Sequence, residues 1–276
     1  MMPHEEYSIV RYYLNKIVIA GLVTIAILWV ITPFVIAIAY AFTDPDQYYS
    51  ISVVFPTSFT ADHVKMLLAL GADKAIMNSI IVAVLTIIFS FALGLPAGYA
   101  FARYTFKGKD SLKLFIIGLR MFPIMVIAVP LVTLYLRLGL NDTLLGVALA
   151  HTSMALPFVI LITSSIIAGI PKELEEAAMV FGLDRKGAFI HVTMPLALPG
   201  LTAAAIFTFL MSWNEVFIAS VLTLTNRTLT AFILNTAMAA VDFIKFAGAF
   251  IIIFPAMIFV FIARRYLISM WGITLR

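Results

Sequence analysis

Long apolar runs, separated by short polar segments, set the pattern of this chain. The runs 17–43, 75–102 and 143–170 contain no charged residue, and each exceeds the roughly 20 residues that a helix needs to cross a bilayer. Three further runs are less clean, because Arg120 and Glu215 interrupt two of them and the last is short. The pattern predicts an all-α polytopic membrane protein of one domain, residues 1–276. Its six transmembrane helices are expected at about 17–43, 75–102, 114–137, 143–170, 200–225 and 246–266.

Composition supports the same class. Hydrophobic residues make up 63% of the chain, charged residues only 12%, and the mean hydropathy is +1.09. These values lie far outside the range of ordinary soluble domains. The chain is therefore expected to reside in a bilayer and to contact membrane lipid.

The positive charges predict the orientation of the helices, because cytoplasmic segments of membrane proteins carry an excess of Lys and Arg. With the N-terminus inside, twelve of the 18 Lys and Arg residues lie on the cytoplasmic side and five on the opposite side, with Arg120 left in the membrane region. Both termini are then cytoplasmic. The net charge of +4 is explained by topology, so no nucleic-acid partner is expected.

Motifs for catalysis are missing from the sequence. There is no cysteine, the four histidines form no His-Glu-x-x-His pair, and no Gly-x-Ser-x-Gly elbow is present. An intramembrane hydrolase, which would depend on a residue such as His151, is therefore disfavoured. No metal, cofactor or catalytic residue is predicted.

The segment 171–199 is the largest loop on the predicted cytoplasmic side. Pro171 suits the first position of a helix, Gly182 can adopt the left-handed conformation that ends one, and Asp184 is a good cap for a second helix. Pro195 and Pro199 are expected to stop that second helix before the fifth span. The loop is thus predicted to be a helix-turn-helix elbow.

Two interpretations of this elbow remain open on the physics of its residues alone. The small side chains of Ala177 and Ala178 would let the first helix settle into a groove of another protein, and Glu176 would offer that protein a charge. Equally, the helix could lie on the membrane surface and stiffen the loop.

Several motifs resemble the permease subunits of binding-protein-dependent ATP-binding-cassette (ABC) importers. The signature-loop residues are Glu176, Ala177, Ala178, Gly182, Phe189, Pro195, Leu196 and Pro199. Wider agreement, including Asn78-Ser79, Met121-Phe-Pro123, Gly139-Leu-Asn-Asp-Thr143 and Trp213-Asn-Glu215, is similar to the carbohydrate branch and its shorter maltose-type permease. Phe181 departs from the family pattern, which usually has Asp there.

The resemblance implies that the elbow is a coupling helix docking into a cytoplasmic ATPase subunit through Glu176, Ala177, Ala178 and Gly182. It further implies a second homologous permease subunit, two ABC ATPase subunits that bind ATP, an extracytoplasmic solute-binding protein, and location in the inner membrane of a prokaryote. This chain itself would bind no cofactor and catalyse no reaction, and it carries no Gly-x-x-x-x-Gly-Lys-Ser/Thr loop.

Polar residues inside the predicted spans are candidates for the solute path, because burying them in lipid is costly. Trp213, Asn214 and Glu215 could offer an aromatic face and polar groups to a hydroxyl-rich solute, although anchoring and packing explain the same residues. Arg120 is expected to snorkel toward the inner surface rather than to pair with Glu215. The sequence favours an importer subunit for a sugar or small oligosaccharide. A non-sugar solute, or an ion-coupled transporter relaying charge through Arg120 and Glu215, are the alternatives.

Overall fold

The protein is mainly helical over the residues that the computed structural model describes, 4–48, 57–237 and 242–270. Within these ranges no strand forms, and Thr43 and Phe59 make an isolated bridge. The all-α prediction is confirmed. The helices are α1 His4–Ala41, α2 Pro45–Tyr48, α3 Asp62–Leu67, α4 Asp73–Arg103, α5 Lys109–Gly118, α6 Ile124–Leu138, α7 Leu144–Ala168, α8 Lys172–Val180, α9 Arg185–Ala188, α10 Met194–Asn214, α11 Phe217–Leu222, α12 Leu229–Ala237 and α13 Asp242–Met270.

Five helical segments are long and apolar enough to cross a membrane, and the second of them is kinked at Gly71, where φ is 106°. They are Tyr12–Ala41, Asp62–Arg103, Leu144–Ala168, Arg185–Asn214 and Asp242–Phe261. A sixth crossing requires two helices, Lys109–Met121 and Ile124–Leu138, which are bent by 88° at the break between them. The six predicted spans are thus present only if this broken pair counts as one of them.

Contacts divide the chain into two compact units. The first comprises Met1–Leu67 and Ala240–Ile251, and the second comprises Leu68–Ala239 and Ile252–Arg276. In the first unit, Nε2 of His63 donates a hydrogen bond of 2.9 Å to the Thr43 carbonyl, and the Tyr40 and Phe246 rings stack. The single domain predicted for residues 1–276 stays a prediction.

The second unit is built on the close packing of α4 against α7. Two glycines four residues apart, Gly94 and Gly98, face Val159 and Thr163 so closely that an added Cβ would lie 2.6 Å from either side chain. A Gly-x-x-x-Gly spacing places both glycines on one face of a helix and lets the backbones of membrane helices approach. The face of α4 that carries Gly94 and Gly98 is therefore the face that packs against α7.

The second arm of the elbow is continuous with the fifth span, and this corrects a prediction. Pro195 and Pro199 lie inside α10 and do not stop the helix. A π-helical turn at Phe189–Thr193 directly precedes Pro195, which has no N–H to donate to the preceding turn. Proline further inside a membrane helix is tolerated when neighbouring helices compensate. The elbow and the fifth span are therefore parts of one bent helical segment.

The fifth span also ends earlier than the predicted range of 200–225. Helix α10 stops at Asn214, Glu215 is extended with ψ 127°, and the short helix α11 starts at Phe217. The hydrophobic run continued to 225 because α11 is apolar too, so hydropathy alone could not show the break.

A clip of hydrogen bonds holds the turn before α7 to the loop after α11. The Asp142 carboxylate accepts from the backbone N–H groups of Leu224, Thr225 and Asn226 at 2.8, 2.9 and 3.0 Å, and from the Thr225 hydroxyl. Asp142 itself has a φ of 57°, a conformation that Asp tolerates better than most residues. The same loop is held to α4 by Asn78, whose amide donates to the Arg227 carbonyl at 2.9 Å.

Candidate functional site

The elbow between α7 and α10 is formed by the local signals that the sequence carries. Helix α8 ends at Val180, Gly182 follows with a left-handed φ of 98°, and the N–H of Leu183 donates to the Ala178 carbonyl at 3.2 Å. Asp184 then caps α9 by accepting from the N–H of Gly187 at 2.7 Å. Both predictions are confirmed. Pro171 lies one position before α8, not at its first residue.

One side of the elbow is open to solvent and chemically mixed. The Glu176 side chain is 52% exposed and pairs with Lys172 at 2.8 Å along the same helix, while Ala177 is exposed and Ala178 half-buried. Val180 and Phe181 at the end of α8 are 86% and 90% exposed. Large apolar side chains so exposed mark interaction sites when they lie together. We call Glu176, Ala177, Val180, Phe181 and Gly182 the elbow tip.

On its other side the elbow is held by a buried carboxylate, Glu175. Oε1 accepts hydrogen bonds from Nε of Arg103 at 2.7 Å and from the Thr193 hydroxyl at 2.6 Å, and Oε2 accepts from the Tyr99 hydroxyl at 2.8 Å. Nη2 of Arg103 also lies 2.7 Å from Oε1. Because Tyr99 and Arg103 end α4 and Thr193 precedes α10, this one side chain joins the elbow to two spans.

Electrostatics favour the ionised form of Glu175. Burial raises the pKa of the carboxyl, but the hydrogen bonds from Thr193, Arg103 and Tyr99 outweigh it, and the net shift is below the ordinary value. The positive charge of Arg103 acts in the same direction. The Glu175 carboxylate is therefore charged near neutral pH, and both of its oxygens accept hydrogen bonds.

Sequence analysis did not single out Glu175. Glu175 and Glu176 are adjacent, and successive residues of an α-helix point about 100° apart, so only one of them can share the face of Ala177. The apolar tip residues Val180 and Phe181 were also missed, since a mismatch with the family pattern at Phe181 says nothing about its exposure.

The candidate path residues Trp213, Asn214 and Glu215 do not share one environment. Trp213 is buried, and its indole N–H donates to the Ile252 carbonyl at 3.2 Å. Asn214 is exposed and donates to the Leu210 carbonyl at 2.9 Å. Only Asn214 is open on the surface of this chain, and the role of all three in a path stays a prediction.

Glu215 belongs to a buried polar cluster at the break after α10. Its carboxylate accepts from the N–H groups of Ile218 and Ala219 at 2.9 and 3.0 Å, which satisfies the start of α11. The fully buried ring of His151 lies 3.1 Å from Oε2 through Nε2 and 2.8 Å from the Ser212 hydroxyl through Nδ1. Both ring nitrogens of His151 are therefore partnered within the cluster.

The predicted snorkelling of Arg120 is wrong. Nη1 donates to the Met154 carbonyl at 3.3 Å, and the guanidinium lies 3.6 Å above the centre of the Phe158 ring. Met154 is near the middle of α7, so the side chain reaches across to the neighbouring helix and not to the inner surface. No ion pair of Arg120 is found among the described side chains, whereas Glu215 pairs with His151.

Apolar spans joined by a polar elbow that is held to two of them fit a membrane transport subunit. Comparison with known families agrees. Residues 90–269 match the family of binding-protein-dependent transport system inner membrane components. The chain belongs to this family.

Two bacterial relatives are similar over much of the chain. A trehalose transport system permease protein of Mycobacterium tuberculosis is 34% identical over 203 residues, which are 71% of this chain and 74% of that protein. An alpha-glucoside transport system permease protein of Rhizobium meliloti is 32% identical over 227 residues, or 77% of this chain and 59% of that protein. The match thus spans less than two thirds of the second relative.

A solved structure shows the same fold. A chain from a bacterial ABC transporter involved in the import of the acidic polysaccharide alginate superposes with a TM-score of 0.78, covering 96% of this chain and 99% of that chain. The two are 19% identical, so this likeness concerns the fold alone. It supports the confirmed all-α, polytopic architecture.

Proposed function

We propose that this chain is a transmembrane subunit of an ABC importer, and that its elbow tip receives force from ATP hydrolysed by partner subunits. The observation that carries the proposal is the two-sided elbow. Its outer side exposes Glu176, Val180 and Phe181, and its inner side is fixed through Glu175 to α4 and to the start of α10. A surface for receiving force is thus joined rigidly to the helices that would move.

This geometry favours docking over a helix lying on the membrane surface. A surface helix buries its apolar face in lipid and keeps its acidic face in water. Here the inward face of α8 carries the buried Glu175, which bonds to Arg103 and Thr193, so the position of the helix is set by contacts with protein and not by lipid. Glu176, Ala177, Ala178 and Gly182 remain the proposed contacts with the ATPase, with Val180 and Phe181 added.

The proposed solute is a sugar or small oligosaccharide. Support comes from the printed functions of the two relatives, which concern trehalose and alpha-glucosides. The proposed assembly contains a second homologous permease, two ATPase subunits, an extracytoplasmic binding protein and no ATP site in this chain, with both termini in the cytoplasm. An importer for a non-sugar solute is the alternative, because this chain has few polar residues that are candidates for the path.

The ion-coupled alternative loses its charge relay. That hypothesis needed Arg120 and Glu215 to exchange charge. Arg120 instead contacts Met154 and Phe158, and Glu215 contacts His151 and two backbone N–H groups. We give it no further support.

The test uses the complete transporter in proteoliposomes, with labelled trehalose and maltose as probes. Uptake should require ATP inside the compartment that holds the ATPase. Glu176→Lys and Gly182→Leu should abolish the ATPase stimulation caused by the loaded binding protein while membrane insertion is kept. Asp110→Lys, an equal charge change at an exposed residue of α5, is the control. Full stimulation in both elbow variants would overturn the coupling role, and uptake without ATP would overturn the importer itself.

A further inference from the structure

The break in the third span exposes irregular backbone in the membrane region. Helix α5 ends at Gly118, a 3₁₀ turn covers Leu119–Met121, and Phe122 is extended with ψ 126° before Pro123. Unpaired backbone groups at this depth are tolerated only where they are buried in protein or line a water-filled cavity. Of the residues around the break, Met121 and Phe122 are 82% and 63% exposed in this chain, so protein of this chain does not cover them.

Arg120 lies at the middle of the membrane-crossing region. Its partner Met154 is ten residues after Leu144 and fourteen before Ala168, so the contact is about 15 Å from one end of α7 and about 21 Å from the other. A charged side chain at such a depth costs several kcal/mol unless water or polar groups surround it. The single carbonyl contact and the ring of Phe158 leave most of its five donors free for other partners.

A cavity of about 360 Å³ opens at this point. Besides Arg120 it is lined by Ser153, whose hydroxyl donates to the Ala150 carbonyl at 2.7 Å and can still accept a hydrogen bond. The Ser153 carbonyl has lost its helical partner because residue 157 is proline and has no N–H. The rest of the lining is apolar, which is the usual composition of a small-molecule site with a few orienting polar groups. The cavity is lined by Leu119, Arg120, Phe122, Ile124, Ile127, Ser153, Met154 and Pro157.

We propose that this cavity is a solute-contact station of the translocation path, in which Arg120 is the specificity-determining residue. The guanidinium donates to the oxygens of a hydroxyl-rich solute, and the Ser153 hydroxyl and carbonyl complete the polar contacts. Phe158 holds the guanidinium plane by stacking. The identity of the solute rests on the proposed function, but the location of the path does not.

The chain has no cysteine, which makes the location directly testable. In the complete transporter, Ser153→Cys and Ile127→Cys should each react with water-soluble methanethiosulfonate reagents, at rates that change when vanadate traps the ATPase. Val129→Cys, on α6 with a side chain 74% exposed in this chain but outside the cavity lining, should stay unreactive in every state. The unsubstituted complex corrects for cysteines of the other subunits. Failure of both cavity variants to react in any state, with ATPase activity intact, would overturn the proposal.

The effect of the Arg120 charge is measured in the Ser153→Cys transporter. With Ser153→Cys, the measured quantity is the ratio of the reaction rate of an anionic reagent to that of a cationic one, and the positive charge of Arg120 should raise it. Arg120→Gln should reduce this ratio several-fold, whereas Arg120→Lys should keep it. Trehalose or maltose, delivered by the loaded binding protein, should slow labelling several-fold. A ratio unmoved by Arg120→Gln would remove Arg120 from the path. If a sugar is transported but does not slow the labelling of Ser153→Cys, the proposed solute contact is wrong. If neither sugar is transported, the proposed function fails, and the reagent reactivities still show whether the cavity belongs to the path.

Discussion

Arg103 and Glu175 form an ion pair shielded from solvent, with Nη2 and Oε1 2.7 Å apart and the two side chains only 6% and 5% exposed. Arg103 is the last residue of α4, and Glu175 lies in the middle of α8. Removing one partner of such a pair leaves the other charge buried and unsatisfied. The elbow therefore cannot separate from α4 without a large cost in free energy, and the two are expected to move together.

Glu175→Ala should lower the free energy of unfolding by about 3–5 kcal/mol, because it leaves Arg103 buried without its partner. Glu175→Gln should cost less, since the amide keeps a hydrogen-bond acceptor. Thermal unfolding of the detergent-solubilised protein measures the effect. Glu173→Ala, at an exposed position of the same helix, should change stability by no more than about 0.5 kcal/mol. Equal effects of the substitutions at 173 and 175 would show that the pair contributes nothing specific.

Phe181→Ser should weaken binding of the partner ATPase without unfolding this chain. The side chain is 90% exposed, so its removal leaves no cavity in the fold, whereas an exposed aromatic residue at a docking surface is a typical hot spot. A loss of about tenfold in affinity, equivalent to about 1.4 kcal/mol, is expected. Co-purification and titration of the ATPase against the variant provide the measurement.

Leu112→Ser, at a half-exposed apolar position of α5, is the matched control for the loss of apolar surface. It should leave the ATPase affinity unchanged. A weakened affinity in the control, or none in Phe181→Ser, would contradict the assignment of the elbow tip.

How much of this site sequence reasoning could predict depends on whether a signal is local. The Gly182 turn and the Asp184 cap follow from conformations that those residues favour over a few positions, and both were predicted. Glu175 could not be separated from Glu176 by residue type, because its partners Arg103 and Thr193 come from distant parts of the chain. Long-range pairing of that kind requires the packing of α4, α8 and α10.

The spans show the same division between local and long-range information. Hydropathy located the apolar runs, but the same apolar character continues across breaks in the backbone, at Phe122–Pro123 and again at Glu215–Val216. Arg120 was expected to snorkel toward the inner surface, a prediction made from its own helix alone. Its actual position is set by α7, through Met154 and Phe158, and counting along one helix cannot include a neighbour.

Gly98→Ala should destabilise the second unit although alanine is the better helix former. The added Cβ would lie 2.6 Å from Cβ of Thr163 and 2.9 Å from the Ile160 carbonyl oxygen, and the carbonyl belongs to a rigid helix backbone. Overpacking of this kind typically costs about 1–3 kcal/mol. Gly21→Ala is the control, because nothing lies within 4 Å of the added atom. Thermal unfolding should show a lower midpoint for the first variant only, and an unchanged midpoint would mean that α4 and α7 pack less closely than described.

The Asp142 clip predicts a stability that depends on pH. Burial raises the pKa of this carboxyl, but hydrogen bonds from Thr225 and from the backbone of Leu224 to Asn226 lower it to about 2. A carboxyl with a depressed folded-state pKa stabilises the fold above its ordinary pKa, near 4, and loses that contribution as the pH falls toward 2. Asp142→Asn should therefore be less stable than the unsubstituted protein at pH 7, and the difference should shrink between about pH 4 and pH 2. Asn also tolerates the positive φ, so the comparison isolates the charge.

Unfolding midpoints in detergent at pH 7, 4 and 3 measure the stability difference between Asp142→Asn and the unsubstituted protein, with Asp110→Asn as an exposed control. A difference that stays constant across this range would show that the clip does not depend on the ionised carboxylate.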